Sequence, residues 1–342
     1  MPADVESDYL RKLKKDDISG KHLVGALGFE DRSLGTWKNI LSKGRPGKVT
    51  MIRYADRGNE EEILNILKKE GIKTTVLEYS DLVKFNEASV VDRGSVKLIV
   101  EKMKEEDLVL DITSLNKALI YLLVSEILKM KDHLGIIHTL AREYLPSSKQ
   151  IENILGFLGE DDSKFLEEAS KLVQGELEPE SKMTIWQNRN PGASVFLVCF
   201  LSFKYSRVTK LLEELPIDSF DIIYPLSSDG EDSPRSNFAK EMAQILVGNS
   251  GQAVPTKSDD HLGTFSKLKE LYLQRFLYGG MNFELGLTGT KMHTVAAGML
   301  GAIANVSGVY YTPVLFDPKN YTLGTGNTTF TELRLKYNKQ TS

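Results

Sequence analysis

DLVLDITSLNKALIYLLVSEIL, from Asp107 to Leu128, and NFELGLTGTKMHTVAAGMLGAI, from Asn282 to Ile303, read as one unit written twice. Each is an apolar strand-like run, a short turn rich in hydroxyl groups that ends in lysine, and an apolar helix. Superposing Lys117 on Lys291 needs a shift of 174 positions. HLVGALGFEDRSLGTWKNIL (His22 to Leu41) and VFLVCFLSFKYSRVTKLLEEL (Val195 to Leu215) form a second pair, and Phe29 meets Phe203 at the same shift. A third pair, GIIHTLAREYLP and GVYYTPVLFDPKNYTLG, aligns Tyr144 with Tyr321 at a shift of 177, which implies a small insertion. Three motifs in one order predict an internal duplication.

Working outward, KVTMIRYA and KTTVLEYS read as strands, and GNEEEILNILKKEG between them reads as a helix stopped by Gly71. The second half offers FDIIYPLS, the helix SNFAKEMAQILVGN, a polar stretch from Gln252 to Gly263, and the helix TFSKLKELYLQRFLYGG. Strands alternating with helices predict an α/β chain of two tandem Rossmann-like domains. Each is expected to have a mainly parallel sheet flanked by helices, the two being related by a pseudo-two-fold. The expected division is residues 1–158, a charged and partly helical connector at 159–191, and residues 192–342.

The 342 residues suit two domains, and a formal charge of −4 excludes coating of duplex DNA or an anionic membrane by bulk electrostatics. Cys199 is the single cysteine, so no internal disulfide can form, and a reducing cytoplasmic setting is the expectation. The N-terminal stretch carries no apolar signal region, and no run approaches the roughly 20 apolar residues of a membrane span. Five histidines show no zinc spacing, so no metal is expected, and no cofactor.

In a parallel α/β sheet, ligands sit at the carboxyl ends of strands near the switch point. Four segments fall there. Gly28, Phe29, Arg32 and Ser33 follow the first strand, and their counterpart offers Phe203 and Ser206. Thr113, Ser114, Asn116 and Lys117 match Thr288, Gly289, Thr290 and Lys291, each group opening a helix where hydroxyls and a lysine can meet phosphate oxygens. Neither fits a P-loop, and GxGxxG is absent. Tyr311 and Tyr321 are candidates for stacking a base, with His138, Arg142 and Tyr144 at the matching place, although one of Tyr310 and Tyr311 is expected in the core. Thr322 to Thr329 reads as a second phosphate turn or a surface loop. Asp111 is a candidate orienting carboxylate without a counterpart, since Leu285 stands in its place.

At Leu287-Thr288-Gly289-Thr290-Lys291-Met292 and the Ala-rich helix after it, the chain resembles the CARF/SAVED superfamily of Rossmann-like sensor domains, close to that family's T-G-G-T-K signature. The loop after the first strand adds to the likeness. The first-half turn, Thr113 to Lys117, lacks the glycines. The resemblance implies binding of a cyclic oligonucleotide second messenger, a role in prokaryotic antiviral defence, and two fused CARF-like units. No R-x-x-x-x-H type ribonuclease motif or other effector segment is visible. The expectation is therefore a sensor signalling to a separate effector protein, with homo-oligomerisation open. The alternative is a metal-independent ring nuclease, with Lys291 and Lys117 stabilising charge and Ser33 or Ser206 positioning a ribose hydroxyl. A third reading is an interaction protein with degenerate sites.

Overall fold

The computed structural model describes residues 3–28, 30–54, 59–84, 90–91, 93–104, 106–159, 162–172, 182–185, 189–304, 306–311 and 322–337. Phe29 and Tyr321, both expected at the site, lie outside these ranges. The strands of the first half are β1 (Ala3–Ser7), β2 (Arg11–Lys12), β3 (His22–Leu27), β4 (Lys48–Arg53), β5 (Lys73–Glu78), β6 (Val90–Val91), β7 (Leu108–Asp111) and β8 (His133–Tyr144). Those that follow are β9 (Lys182–Ile185), β10 (Val195–Phe200), β11 (Ser219–Leu226), β12 (Ala253–Lys257), β13 (Asn282–Gly286), β14 (Ser307–Tyr311) and β15 (Thr322–Tyr337).

One sheet runs β1-β15-β8-β7-β3-β4-β5, with β2 beside β15, and the other runs β12-β11-β10-β13-β14-β9-β6. The five strands from β5 to β8 are parallel, as are the five from β12 to β14. Counted along the chain, both parallel sets have the order 3-2-1-4-5, the doubly wound arrangement with its switch point between the first and fourth strands. The chain is thus two Rossmann-like α/β units in tandem. Their flanking strands differ: β15 is antiparallel to β8 and β1, and β9 is antiparallel to β14.

Sheet membership crosses the expected division of the chain. β15, inside residues 192–342, is an interior strand of the first sheet, and β6 joins the second. The helix Ser148–Leu155 buries Ile151 and Ile154 in the second-half core, where the connector helix Asp162–Leu172 also places Phe165 and Ala169. Thr322 to Thr329 is no phosphate turn. It is the start of β15, paired with β8 across a register shift between Thr325 and Thr328. The polar stretch after Gln252 likewise holds a strand, β12, at the sheet edge, where Pro255 removes no ladder bond that matters.

The centre of the molecule is a pair of helices, Lys117–Lys131 and Lys291–Ile303, which follow β7 and β13. The first is buried at every position from Ala118 to Leu128, the second from Met292 to Gly301. A helix apolar on all sides has to sit inside. Their residues join those of both sheets in one core. Gly298 marks the closest approach: a Cβ there would lie 2.7 Å from Val124 Cβ. Gly298→Val is therefore expected to destabilise the fold by about 1–3 kcal/mol through overpacking, more than the helix-propensity gain of under ~1 kcal/mol returns. Urea titration checks it, and an unchanged midpoint would mean that the helices do not touch here. Among the described residues no helix is long and apolar enough to cross a membrane.

Candidate functional site

The switch points put the expected loops side by side. Gly28 ends the run after β3, and Ser114 lies in the turn after β7. Ser33 Oγ and Ser114 Oγ stand 2.6 Å apart, and any Cβ at Gly28 would collide with both hydroxyls. Arg32 and Ser33 are buried in the first turn of the helix Asp31–Lys43. Arg207 and Ser206 hold the first two positions of the corresponding helix, Ser206–Glu214. Both lysines are the first residues of their helices. Asn116 caps one, its side chain accepting from Leu119 N at 2.9 Å, and Thr290 caps the other, accepting from His293 N at 3.1 Å.

Each lysine then crosses to the other half. Lys117 Nζ donates to the carbonyl of Thr288 at 2.8 Å. Lys291 Nζ donates to the carbonyls of Ile112 (3.0 Å), Leu115 (3.1 Å) and Thr113. An ammonium has three N–H donors, so in its charged form Lys291 is fully engaged. The two turns face each other across the junction, and the lysines clasp backbone instead of waiting for a phosphate. This corrects the expectation that Lys117 and Lys291 are ligand-directed charges.

The charges nearby run across the same junction. Burial, then Arg207, Lys291 and Lys204, push the Lys117 ammonium well below its usual range. Burial and then Arg32 bring Lys291 down to about 7, against the pull of Glu30 and Asp111. Burial and Arg207 bring Lys204 to about 8. Five basic groups are therefore neighbours, Arg32 and Lys291 towards the first half, Lys117, Lys204 and Arg207 towards the second. Glu30 and Asp111 pull the other way on Lys291. Burial raises the Asp111 carboxyl although Thr113 N donates to it at 2.9 Å. Burial works on Glu30 too, but Arg32 and Lys291 outweigh it and hold that carboxyl low. His138 reaches this cluster and is kept neutral, first by burial, then by Arg32 and Lys291.

Several expected contacts are structural instead. The Thr113 hydroxyl is buried and accepts from Thr139 N at 3.0 Å. Thr288 Oγ1 donates to the Phe200 carbonyl. Thr290 donates to the Ser258 carbonyl at 2.9 Å besides capping its helix. Gly289 is required by packing, since a Cβ would lie 2.7 Å from His293 Nδ1. Asn116 is fixed from the backbone by the Tyr54 hydroxyl at 2.9 Å. Tyr311 is fully buried and donates to Glu214, so it is core and no stacking surface. Phe203 stacks on Phe238 with centroids 4.5 Å apart, under Arg235 at 6.0 Å. Gly28, Ser33 and Ser114 stand together after β3 and β7, Arg32 lies beside Ser33 in the same helix turn, and Ser206 opens the helix that follows β10.

Glu30 and Thr322 lie in segments that the sequence singles out, but neither is counted there among the site residues. Glu30 caps the helix that carries Arg32 and binds that guanidinium twice, at 2.7 and 3.0 Å. Thr322 Oγ1 donates to the same carboxylate at 2.5 Å. An E-x-R pair at the start of a helix was a visible signal for the first contact. Nothing local announced the second, because Thr322 arrives from almost 300 residues away.

No protein-family model matches this chain, and no curated protein sequence matches it. Among solved structures, a Type III CRISPR defence DNA nuclease activated by cyclic oligoadenylate superposes with a TM-score of 0.47 at 10% identity, over 85% of this chain. The chain spans 65% of that nuclease's length. A short-chain dehydrogenase from Oenococcus oeni superposes at 0.24 and 13% identity, over 71% of this chain and 99% of its own. A UDP-GlcNAc 2-epimerase from Neisseria meningitidis reaches 0.19 at 12% identity, over 69% and 72%. No residue role follows from likenesses this remote.

Proposed function

We propose that this chain is a sensor for a cyclic oligonucleotide, which it binds across the junction of its two halves, passing the signal to a separate effector. The observation that carries the reading is the meeting of the two switch-point turns, where Lys117 and Lys291 each cross to the other half with Arg32, Arg207 and Lys204 nearby, in a protein whose net charge is −4. Local concentration of positive charge against the overall sign marks a place for an anion. The Ser33–Ser114 pair and the glycine beside it add hydrogen-bonding groups where a backbone can approach. The threonine–lysine signature after β13 supports the family resemblance, and the tandem units support a ligand that spans both. A duplication behind the two units belongs to this proposal.

Binding ranks ahead of ring cleavage for a geometric reason. The lysines that cleavage would call on to stabilise a developing charge are occupied by backbone carbonyls. The test is calorimetry with cyclic di-, tri-, tetra- and hexanucleotides, followed by analysis of the recovered ligand. One member of the panel should bind, with affinity falling about tenfold for a fourfold rise in salt, as suits roughly two neutralised phosphates. The ligand should be recovered intact. Heat from none of them would end the proposal, and linear products would replace it with the ring-nuclease reading.

A further inference from the structure

Four histidines are buried among the described residues, and three of them have a partner for the ring. His22 Nε2 lies 2.8 Å from Thr50 Oγ1, His261 Nε2 lies 2.7 Å from Ser7 Oγ, and His293 Nε2 lies 3.1 Å from Thr256 Oγ1. The fourth is His138, whose ring meets no hydrogen-bond partner among the described residues. Buried polar groups are nearly always paired, so an exception calls for a cause. His138 is also the most open of the four, at 7% exposure against 3%, 2% and 0%.

The ring is held in place by a strand, not by a loop. Thr329 Oγ1 donates to the His138 carbonyl at 3.0 Å, and the next residue, Thr139, donates from its N to Thr113 Oγ1 at 3.0 Å. Ile136 belongs to the core of the two central helices and Ile137 to that of Trp37, so alternation turns His138 towards the central helices. Asp111, the last residue of β7, pairs with Ile137. His138 is thus one step past the carboxyl end of β7, level with the turn from Ile112 to Leu115 whose carbonyls Lys291 takes. A neutral imidazole offers one donor, one acceptor and no charge, so it suits an uncharged polar group better than a phosphate. Burial first, then Arg32 and Lys291, keep this one neutral. Close by, the Ser33 and Ser114 hydroxyls stand 2.6 Å apart beside Gly28, a polar setting that fits a sugar–phosphate backbone. Of the described aromatic residues expected at the ligand, Tyr311 is core and Phe203 already stacks on Phe238, so nothing here favours a base over a sugar.

We propose that His138 is a specificity-determining residue whose ring hydrogen-bonds a ribose 2′-hydroxyl of the ligand, so that the junction takes a ribonucleotide ring and discriminates against its deoxyribose counterpart. This rests on the cyclic-oligonucleotide reading of the same site and adds which sugar it selects. A site built to bond a hydroxyl rejects the analogue that lacks it, because the buried ring is then left unpaired again.

The probes are cyclic tri-, tetra- and hexa-adenylate and their 2′-deoxy counterparts, titrated calorimetrically into the full chain. The wild-type protein should bind one ribose ring at least tenfold more tightly than its deoxy counterpart, a comparison that needs no variant. His138→Phe keeps an aromatic ring and removes both polar nitrogens. It should weaken the ribose ligand about tenfold and leave the deoxy ligand unchanged, so that the ratio collapses. Because the native ring has no internal partner to lose, the urea midpoint of His138→Phe should stay level or rise. A residue with a merely structural role would weaken both ligands alike. Equal binding of the two sugars by the wild type, a ratio that survives His138→Phe, or a lowered urea midpoint would overturn this inference and leave the sensor reading standing. Heat from neither series would end the sensor reading, and this inference with it.

Discussion

Lys291→Met should cost about 3 kcal/mol of folding free energy before it alters any ligand affinity. The side chain meets three backbone carbonyls of the opposite half, and a carbonyl stripped of its donor in a partly buried place costs about 1–3 kcal/mol. The lower end of that range for each of the three carbonyls gives the figure. Lys117→Met removes one such bond and should cost about 1 kcal/mol. The inequality between two residues that look equivalent is the informative part. Urea unfolding of both variants at pH 7 measures it. Equal small losses, below about 0.5 kcal/mol each, would show that the lysines are not clasps and would return them to the ligand.

The second large effect is on acid stability. His261 and His293 are buried, and burial above all lowers them from 6.5 to about 4 and about 3. His261 Nε2 sits 2.7 Å from Ser7 Oγ and ties its helix to β1, while His293 packs against Phe200 with centroids 5.5 Å apart. The unfolded chain takes up protons on these rings as the pH passes 6.5, whereas the folded chain does not until about 4 and 3. Stability is therefore fully present above 6.5 and is lost on acidification, the loss levelling off below about pH 3. Going from pH 7 to pH 5 should remove about 2 kcal/mol per ring, about 4 kcal/mol together. His22 and His138, also held below their usual value chiefly by burial, act in the same direction. Urea midpoints at pH 7, 6 and 5 test the slope, and a flat profile would contradict the burial of these rings. His261→Gln should flatten it in part, since an amide does not titrate.

The tandem order of strands was legible because β-branched runs and amphipathic helices alternate in both halves and each turn ends with the same chemistry. The switch-point loops followed from that order alone. What stayed hidden was long-range. A run such as Thr322-Leu323-Gly324-Thr325-Gly326-Asn327-Thr328 has two glycines and no apolar alternation, so it reads as a loop until β8 supplies a partner. Pro255 and short polar neighbours disguise β12 in the same way. At the site, residue type predicted which groups gather but not what they bind. Lys117 and Lys291 each cross to the other half, yet a lysine's reach lets it choose a backbone carbonyl there. Even the single offset of 174 was an average: β3 and β10 begin 173 positions apart, and the helices of Arg32 and Arg207 begin 175 apart. The two extra residues lie in the second half, where Tyr205 stands at the helix start in the place of Glu30.

β15 lies between β8 and β1 yet is synthesised only after the whole second unit. Until it arrives, the edge of β8 stands open and the places of Phe330, Leu333 and Leu335 are empty. A bare strand edge invites pairing with another nascent chain. Maturation is accordingly concerted: the unit that leaves the ribosome first is the one completed last, and trimming the chain from its far end injures the half most distant in sequence.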